Sequence, residues 1–178
     1  MKTLSKNWLK VIVWTVADGT IVDERKYTPN SIKRRIQFHL SRTEKIRKLT
    51  KLLSDMKIPF TNTKTEKTGV NVLQPYTIRI YGESARKIFN ILDGKKRFPS
   101  SFALLSRGKL QVVLDTLADT DASRPHRKTM WRTTSKSDAD VISAACETHE
   151  IDVKVKVRDH ASGFKKDCKR QYWLNIAA

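Results

Sequence analysis

A chain of 178 residues is long enough to bury a core, either as one domain or as two small repeats. Its 36 lysines and arginines against 18 acidic residues leave a net charge of +18, which points to a polyanionic partner and first of all to nucleic acid. Two cysteines, Cys146 and Cys168, offer neither a disulfide framework nor paired metal-ligand spacing, and no stretch approaches the roughly 18 apolar residues of a membrane span, so disulfide scaffolds, zinc modules and membrane proteins drop out.

The chain opens with MKTLSKNWLKVIVWTVADG, which has the basic lead of a signal peptide. Its apolar run from Val11 to Ala17 is short, holds Trp14 and Thr15, and ends in a charge. It therefore reads as mature protein, and the expected setting is a reducing cytoplasm, bacterial or phage-infected. Taken alone, the segment fits a strand entering a turn, or a helix whose last carboxylate is placed for chemistry. Further on, Ile36, Phe38 and Leu40 alternate with Arg35, Gln37 and His39 as in a half-buried strand. Ser41, with Glu44 three residues later, predicts the cap of a helix whose Ile46, Leu49, Leu52, Leu53 and Met56 form an apolar stripe. YTIRIYG puts Tyr76, Ile78 and Ile80 on one face and Thr77, Arg79 and Tyr81 on the other. A helix from Ser84 to Leu92 precedes a break in DGKKRFPSS.

The second half repeats this order. IQFHLSRTEKIRKLTKLLSDMKI (36 to 58) lies without gaps on TMWRTTSKSDADVISAACETHEI (129 to 151). Ser135 with Asp138 predicts a helix cap, followed by core positions Ala139, Ile142, Ala145 and Cys146. IDVKVKVRD turns Ile151, Val153, Val155 and Val157 inward and Asp152, Lys154, Lys156 and Arg158 outward. HASGFKKDCK is a loop, and RQYWLNI a last strand. The expectation is an α+β fold of two pseudo-symmetric repeats, 1–97 and 98–178, the second without the final helix. Positive charge is woven through both: 22 basic against 8 acidic residues up to Phe98, and 14 against 10 beyond it.

Laying VIVWTVADG on LDTLADTDA brings Asp18 onto Asp121, Ala17 onto Thr120 and Gly19 onto Ala122. As helix ends, these are electrostatically unfavourable places for carboxylates, because the orphan carbonyls there already carry about −0.5 of a charge. A hard divalent cation with oxygen ligands resolves the conflict, and magnesium binds through one or two carboxylates together with phosphate oxygens and water. Two such helices side by side would join Asp18 and Asp121, with Ala17 and Thr120 in the same ligand set, for metal-assisted phosphodiester hydrolysis.

With these two segments, and with WRTTSKSDAD and IQFHLSRTEK behind them, the chain resembles a LAGLIDADG homing endonuclease that carries both repeats in one polypeptide. The resemblance implies paired αββαββα units with two central packed helices and antiparallel sheets that form a saddle over the major groove. It implies magnesium, or another divalent cation, on Asp18 and Asp121. It also implies polar residues that order water at Arg42 and Ser135, and a lysine beside the site at Lys96, in the cluster Lys95, Lys96 and Arg97. Val13 stands where the family has a small residue at the helix crossing, and Ala122 where it has glycine.

By that resemblance the protein is a monomeric endonuclease of intron or free-standing gene homing, acting on a long asymmetric double-stranded DNA site with no membrane partner. Ribbon residues that face the groove would be Lys26, Arg35, Gln37, His39, Thr77 and Arg79 in the first repeat, and Lys128, Arg132, Lys154, Lys156 and Arg158 in the second. Trp14, Trp131 and Trp173 are expected in packing or on a sheet face. Two rival readings share the charge and the fold: a DNA-binding regulator that does not cut, and a maturase that binds intron RNA.

Overall fold

The computed structural model describes residues 4–23, 34–65, 75–120, 128–160 and 169–177. The chain divides into two units, Met1–Lys96 and Arg97–Ala178. Lys26 and Asp121 lie outside the described residues, as does the side chain of Lys128.

The first unit begins with α1 (Lys6–Asp18), started by Ser5, whose hydroxyl accepts the N–H of Trp8 at 3.4 Å. Leu9 and every residue from Val11 to Val16 are buried, so α1 is covered on most of its circumference. That explains its strand-like composition: a helix enclosed by β1, β2 and α2 needs apolar bulk all round, and burial outweighs the weak helix propensity of Val and Ile. Thr15 fits because its hydroxyl donates to the Val11 carbonyl at 2.8 Å.

Four antiparallel strands follow, β1 (Gly19–Asp23), β2 (Arg34–Leu40), β3 (Phe60–Lys64) and β4 (Tyr76–Ile80), in the order β1-β2-β4-β3. Ile36, Phe38, Leu40, Ile78 and Ile80 are buried on the inner face, as period-two alternation predicts. Between β2 and β3 lies α2 (Thr43–Asp55), which buries Leu49 and Leu53, and α3 (Gly82–Ile91) packs on β2. The cap expected at Ser41 is displaced: α2 starts one residue later, with Arg42 at the N-cap and no side-chain capping bond. Glu44 pairs forward with Lys48 at 2.8 Å instead of back to the cap.

In the second unit, a short 3-10 helix (Ser100–Leu104) leads into α4 (Arg107–Thr120), β5 (Lys128–Thr133), α5 (Lys136–Thr148), β6 (Val153–His160) and β7 (Lys169–Ala177). The sheet order is β5-β7-β6, all antiparallel. Among the described residues this unit has no counterpart of α3. Ser135 caps α5 as expected, accepting the Asp138 N–H at 3.2 Å. Asp138 itself is buried, and its Oδ1 accepts the Phe98 N–H at 2.7 Å. This pins Phe98 against Phe102 and Trp131, with ring centroids 5.3 and 6.0 Å away.

One face assignment fails. Val155 and Val157 are 44% and 56% exposed, not inward-facing core. The strand that carries them, β6, is an edge, flanked by β7 alone, and only its start is half-covered at Val153.

Cys146 is fully buried in α5, and burial, with a smaller contribution from Glu147, pushes its thiol up to about 11. The fold thus favours the neutral thiol, and this contribution to stability, complete below the ordinary value of 9.0, is lost as pH rises through about 11. Iodoacetamide at pH 8 should leave Cys146 unmodified in the folded protein and label it on unfolding in urea, as read by peptide mapping. Equal labelling rates in the two states would contradict its burial.

Candidate functional site

At the end of α1, the chain passes from helix to strand without a loop. The Gly19 N–H still reaches the carbonyls of Thr15 and Trp14, while Gly19 already pairs with Phe38 in the sheet. Its φ of −85° is open to any residue, so the glycine is needed for space and not for a left-handed turn. A Cβ there would lie 2.7 Å from the Thr15 oxygen and 2.8 Å from its Cα.

This junction exposes two hard oxygen donors, the Asp18 carboxylate and the Ala17 carbonyl, and each faces an ammonium group. Lys45 Nζ, from the first turn of α2, lies 3.1 and 2.8 Å from the two carboxylate oxygens, and both side chains are about 15% exposed. Lys96 Nζ donates to the Ala17 carbonyl at 3.0 Å. The conflict between a carboxylate and a helix C-terminus is therefore offset by two cations of the chain itself. Lys96 was expected at this site from sequence; Lys45 was not. Arg42, the candidate three residues before Lys45, is exposed at the α2 N-cap and makes no bond to Asp18 among the described residues.

The burial pattern of α4 fixes which of its residues corresponds to Asp18. Leu9, Ile12, Val13, Thr15 and Val16 of α1 match buried Leu110, Val113, Leu114, Thr116 and Leu117 at a constant offset. Thr116 repeats the bond of Thr15, donating to the Val112 carbonyl at 2.7 Å. This offset carries Asp18 onto Asp119, Ala17 onto Ala118 and Gly19 onto Thr120, two residues short of the register that selected Asp121. Thr120 is buried with its hydroxyl folded onto the carbonyls of Thr116 and Leu117, 3.1 and 3.0 Å away. Its side chain is therefore a poor ligand. At the N-cap of α5, Ser135 Oγ is engaged in the cap and with Ser137 Oγ at 3.2 Å, which leaves it ill placed to order water.

Among the described residues, no three His, Cys, Asp or Glu side chains converge on a cation position. The donors at the end of α1 nonetheless suit hydrated magnesium: one carboxylate and an adjacent carbonyl, with the remaining positions left to water and phosphate oxygens.

The outward face of the first sheet carries Arg35, Gln37, His39, Thr77 and Arg79 together. All but Arg35 join, with Thr65, in one chain of hydrogen bonds. Arg79 Nε donates to Gln37 Oε1 at 3.4 Å, the Gln37 amide meets His39 Nε2, His39 Nδ1 and the Thr77 hydroxyl are 3.0 Å apart, and Thr77 meets the Thr65 hydroxyl at 2.8 Å. Thr77 is 1% exposed, so it orients His39 rather than facing a ligand directly. With both ring nitrogens engaged, His39 is a member of this network.

On the second sheet the outward residues are Arg132, Lys154, Lys156 and Arg158, around Trp173. The guanidinium carbons of Arg132 and Arg158 stand 3.8 and 4.5 Å from the Trp173 ring centroid. Trp173 Nε1 donates to Gln171 Oε1 at 3.2 Å.

No family model and no curated protein matches the sequence. Solved structures do resemble it. The homing endonuclease I-DmoI in complex with DNA and Mn is 12% identical, with a TM-score of 0.65 over 97% of this chain and 89% of that one. Mesophilic variants of I-DmoI give the same score over 97% and 88%. The N-terminal LAGLIDADG domain of WhiA is 13% identical, with a TM-score of 0.57 over 99% of this chain and 78% of its own. The chain thus shares their α+β fold with two antiparallel sheets.

Proposed function

We propose that this protein binds a long duplex DNA site through the outward faces of its two sheets and hydrolyses the phosphodiester backbone with a divalent cation, magnesium being the natural choice. The observation that carries this reading is the junction of α1 and β1, where Asp18 and the Ala17 carbonyl face Lys45 and Lys96 within 3.1 Å. Four features of one phosphodiester-cutting centre meet there: hard oxygen donors, basic side chains, partial burial, and a polar sheet face leading away.

In this reading Asp18 and the Ala17 carbonyl hold the cation in the first unit, and Asp119 with the Ala118 carbonyl are their counterparts in the second. A divalent cation held by these groups would supply charge stabilisation to the phosphate and a bound water of lowered pKa. Lys45, 2.8 Å from the Asp18 carboxylate, brings positive charge to the place where a phosphate oxygen would lie. Lys96, 3.0 Å from the Ala17 carbonyl, keeps local charge positive for the DNA backbone. The chain acts as a monomer whose units each address one half of the target. The DNA and metal named with the I-DmoI structures, Mn, Mg and Ca among them, support the same reading.

A second reading, binding without cleavage, is favoured by the Lys45–Asp18 ion pair, which already satisfies the carboxylate. Selecting duplexes from a random pool without divalent cation, then adding magnesium, separates the two. Double-strand scission of the selected duplex supports the nuclease; a bound but intact duplex supports the regulator. Retention of intron RNA in preference to every duplex would support a maturase instead.

A further inference from the structure

Trp173 sits on β7, the central strand of the second sheet, between one arginine on each neighbouring strand. Arg132 is its direct cross-strand partner, and Arg158 reaches it diagonally from beside Gln171. Both guanidinium groups lie within 4.5 Å of the ring centroid, and the indole N–H is anchored on Gln171. Among the described residues neither arginine has a carboxylate partner.

We propose that Trp173 is a positioning residue for base readout: it holds Arg132 and Arg158 as two preset forks that each recognise a guanine in the major groove. A free arginine side chain carries about 2 kcal/mol of rotamer entropy, and stacking on an aromatic face removes much of that freedom before the ligand arrives. A guanidinium carbon 3.8 or 4.5 Å from the ring centroid is within cation–π range, and a guanidinium lying flat on the ring keeps its in-plane N–H donors for a ligand. Guanine N7 and O6 accept a bidentate pair of that shape, which adenine and the pyrimidines lack. Lys154 and Lys156, on the same face, are point charges suited to phosphate, so the sheet divides base reading from backbone contact. The first sheet uses hydrogen bonds among Gln37, His39, Thr77 and Arg79 for the equivalent task. The two half-sites are therefore read by different chemistry, and the second one is the guanine-dependent half.

This inference rests on the duplex-binding reading above but not on cleavage. The test is selection from a random 30-base-pair duplex pool, without divalent metal, by the wild type, Trp173→Leu and Trp173→Phe. The wild type should select guanine at two positions of one half-site. Trp173→Leu should lower guanine preference there by about tenfold, a typical value of one bidentate contact, while the rest of the site and the salt dependence stay the same. Trp173→Phe should restore most of the preference, because a ring still supports the arginines. Guanine preference unchanged in Trp173→Leu, or lost evenly across the site, would overturn the proposal while leaving duplex binding intact. A wild type that selects no duplex would overturn both.

Discussion

Asp18→Asn is expected to slow cleavage of the selected duplex by roughly a thousandfold, since a catalytic cation supplies several kcal/mol and each 1.36 kcal/mol is a factor of ten in rate. Asparagine keeps the size and one oxygen of the side chain but removes the charge that would hold the proposed cation. Duplex affinity should hold or rise in the same variant. The variant removes one negative charge 2.8 Å from the Lys45 ammonium, so the slope of log affinity against log salt should steepen by up to about 0.9. Opposite movements of cleavage and binding are hard to produce by misfolding. Asp119→Asn should match Asp18→Asn in severity, whereas Asp121→Asn should leave the rate within a few-fold of the parent. Rates for Asp18→Asn within tenfold of the wild type would remove it from the catalytic centre, and a larger loss at Asp121 than at Asp119 would overturn the helix matching.

Gly19→Ala should destabilise the first unit by about 1–3 kcal/mol, the usual range for an extra methyl group forced into a packed site. The atoms it meets are backbone: the Thr15 oxygen at 2.7 Å and Cα at 2.8 Å, with the Phe38 ring at 3.1 Å behind. The two Thr15 atoms belong to the backbone and cannot rotate away. Relief requires unwinding the last turn of α1 or pulling β1 from β2, and either movement displaces Asp18, so cleavage should fall with stability. Thr120, at the matching position, carries a Cβ because α4 stays helical through it. Gly108→Ala is the control, having open space around its Cβ inside α4, and should be neutral or stabilising by up to about 1 kcal/mol. Urea midpoints for the two variants that do not differ would contradict the steric account of the junction.

The strands were legible because Ile36, Phe38 and Leu40 declare a period of two that nothing else in the segment disputes. The first helix was harder, since enclosure on most sides erases the polar stripe that distinguishes a helix from a strand; only its repetition in the second half revealed its nature. That repetition was present as VIVWTVADG and VVLDTLADT, which share threonine, alanine and aspartate in place. Carboxylates at both 119 and 121 allowed a register two residues off, and burial phase along α4 separates them. Lys45 was beyond reach for a different reason. Its ion pair spans 27 residues and depends on how α2 packs against α1, which apolar spacing along either helix does not determine. Trp173 likewise gains its meaning only from the pairing of β5, β7 and β6, which brings arginines from distant segments to one ring.

Whether the end of α1 holds a divalent cation is tested most directly by replacing magnesium with ferrous iron and generating hydroxyl radicals with ascorbate and peroxide, in the presence of selected duplex. Backbone scission should occur at residues 17–19 and 118–120, be suppressed by excess magnesium, and vanish from the first position in Asp18→Asn. Scission confined to other parts of the chain, or unchanged by the Asp18→Asn substitution, would contradict the assignment.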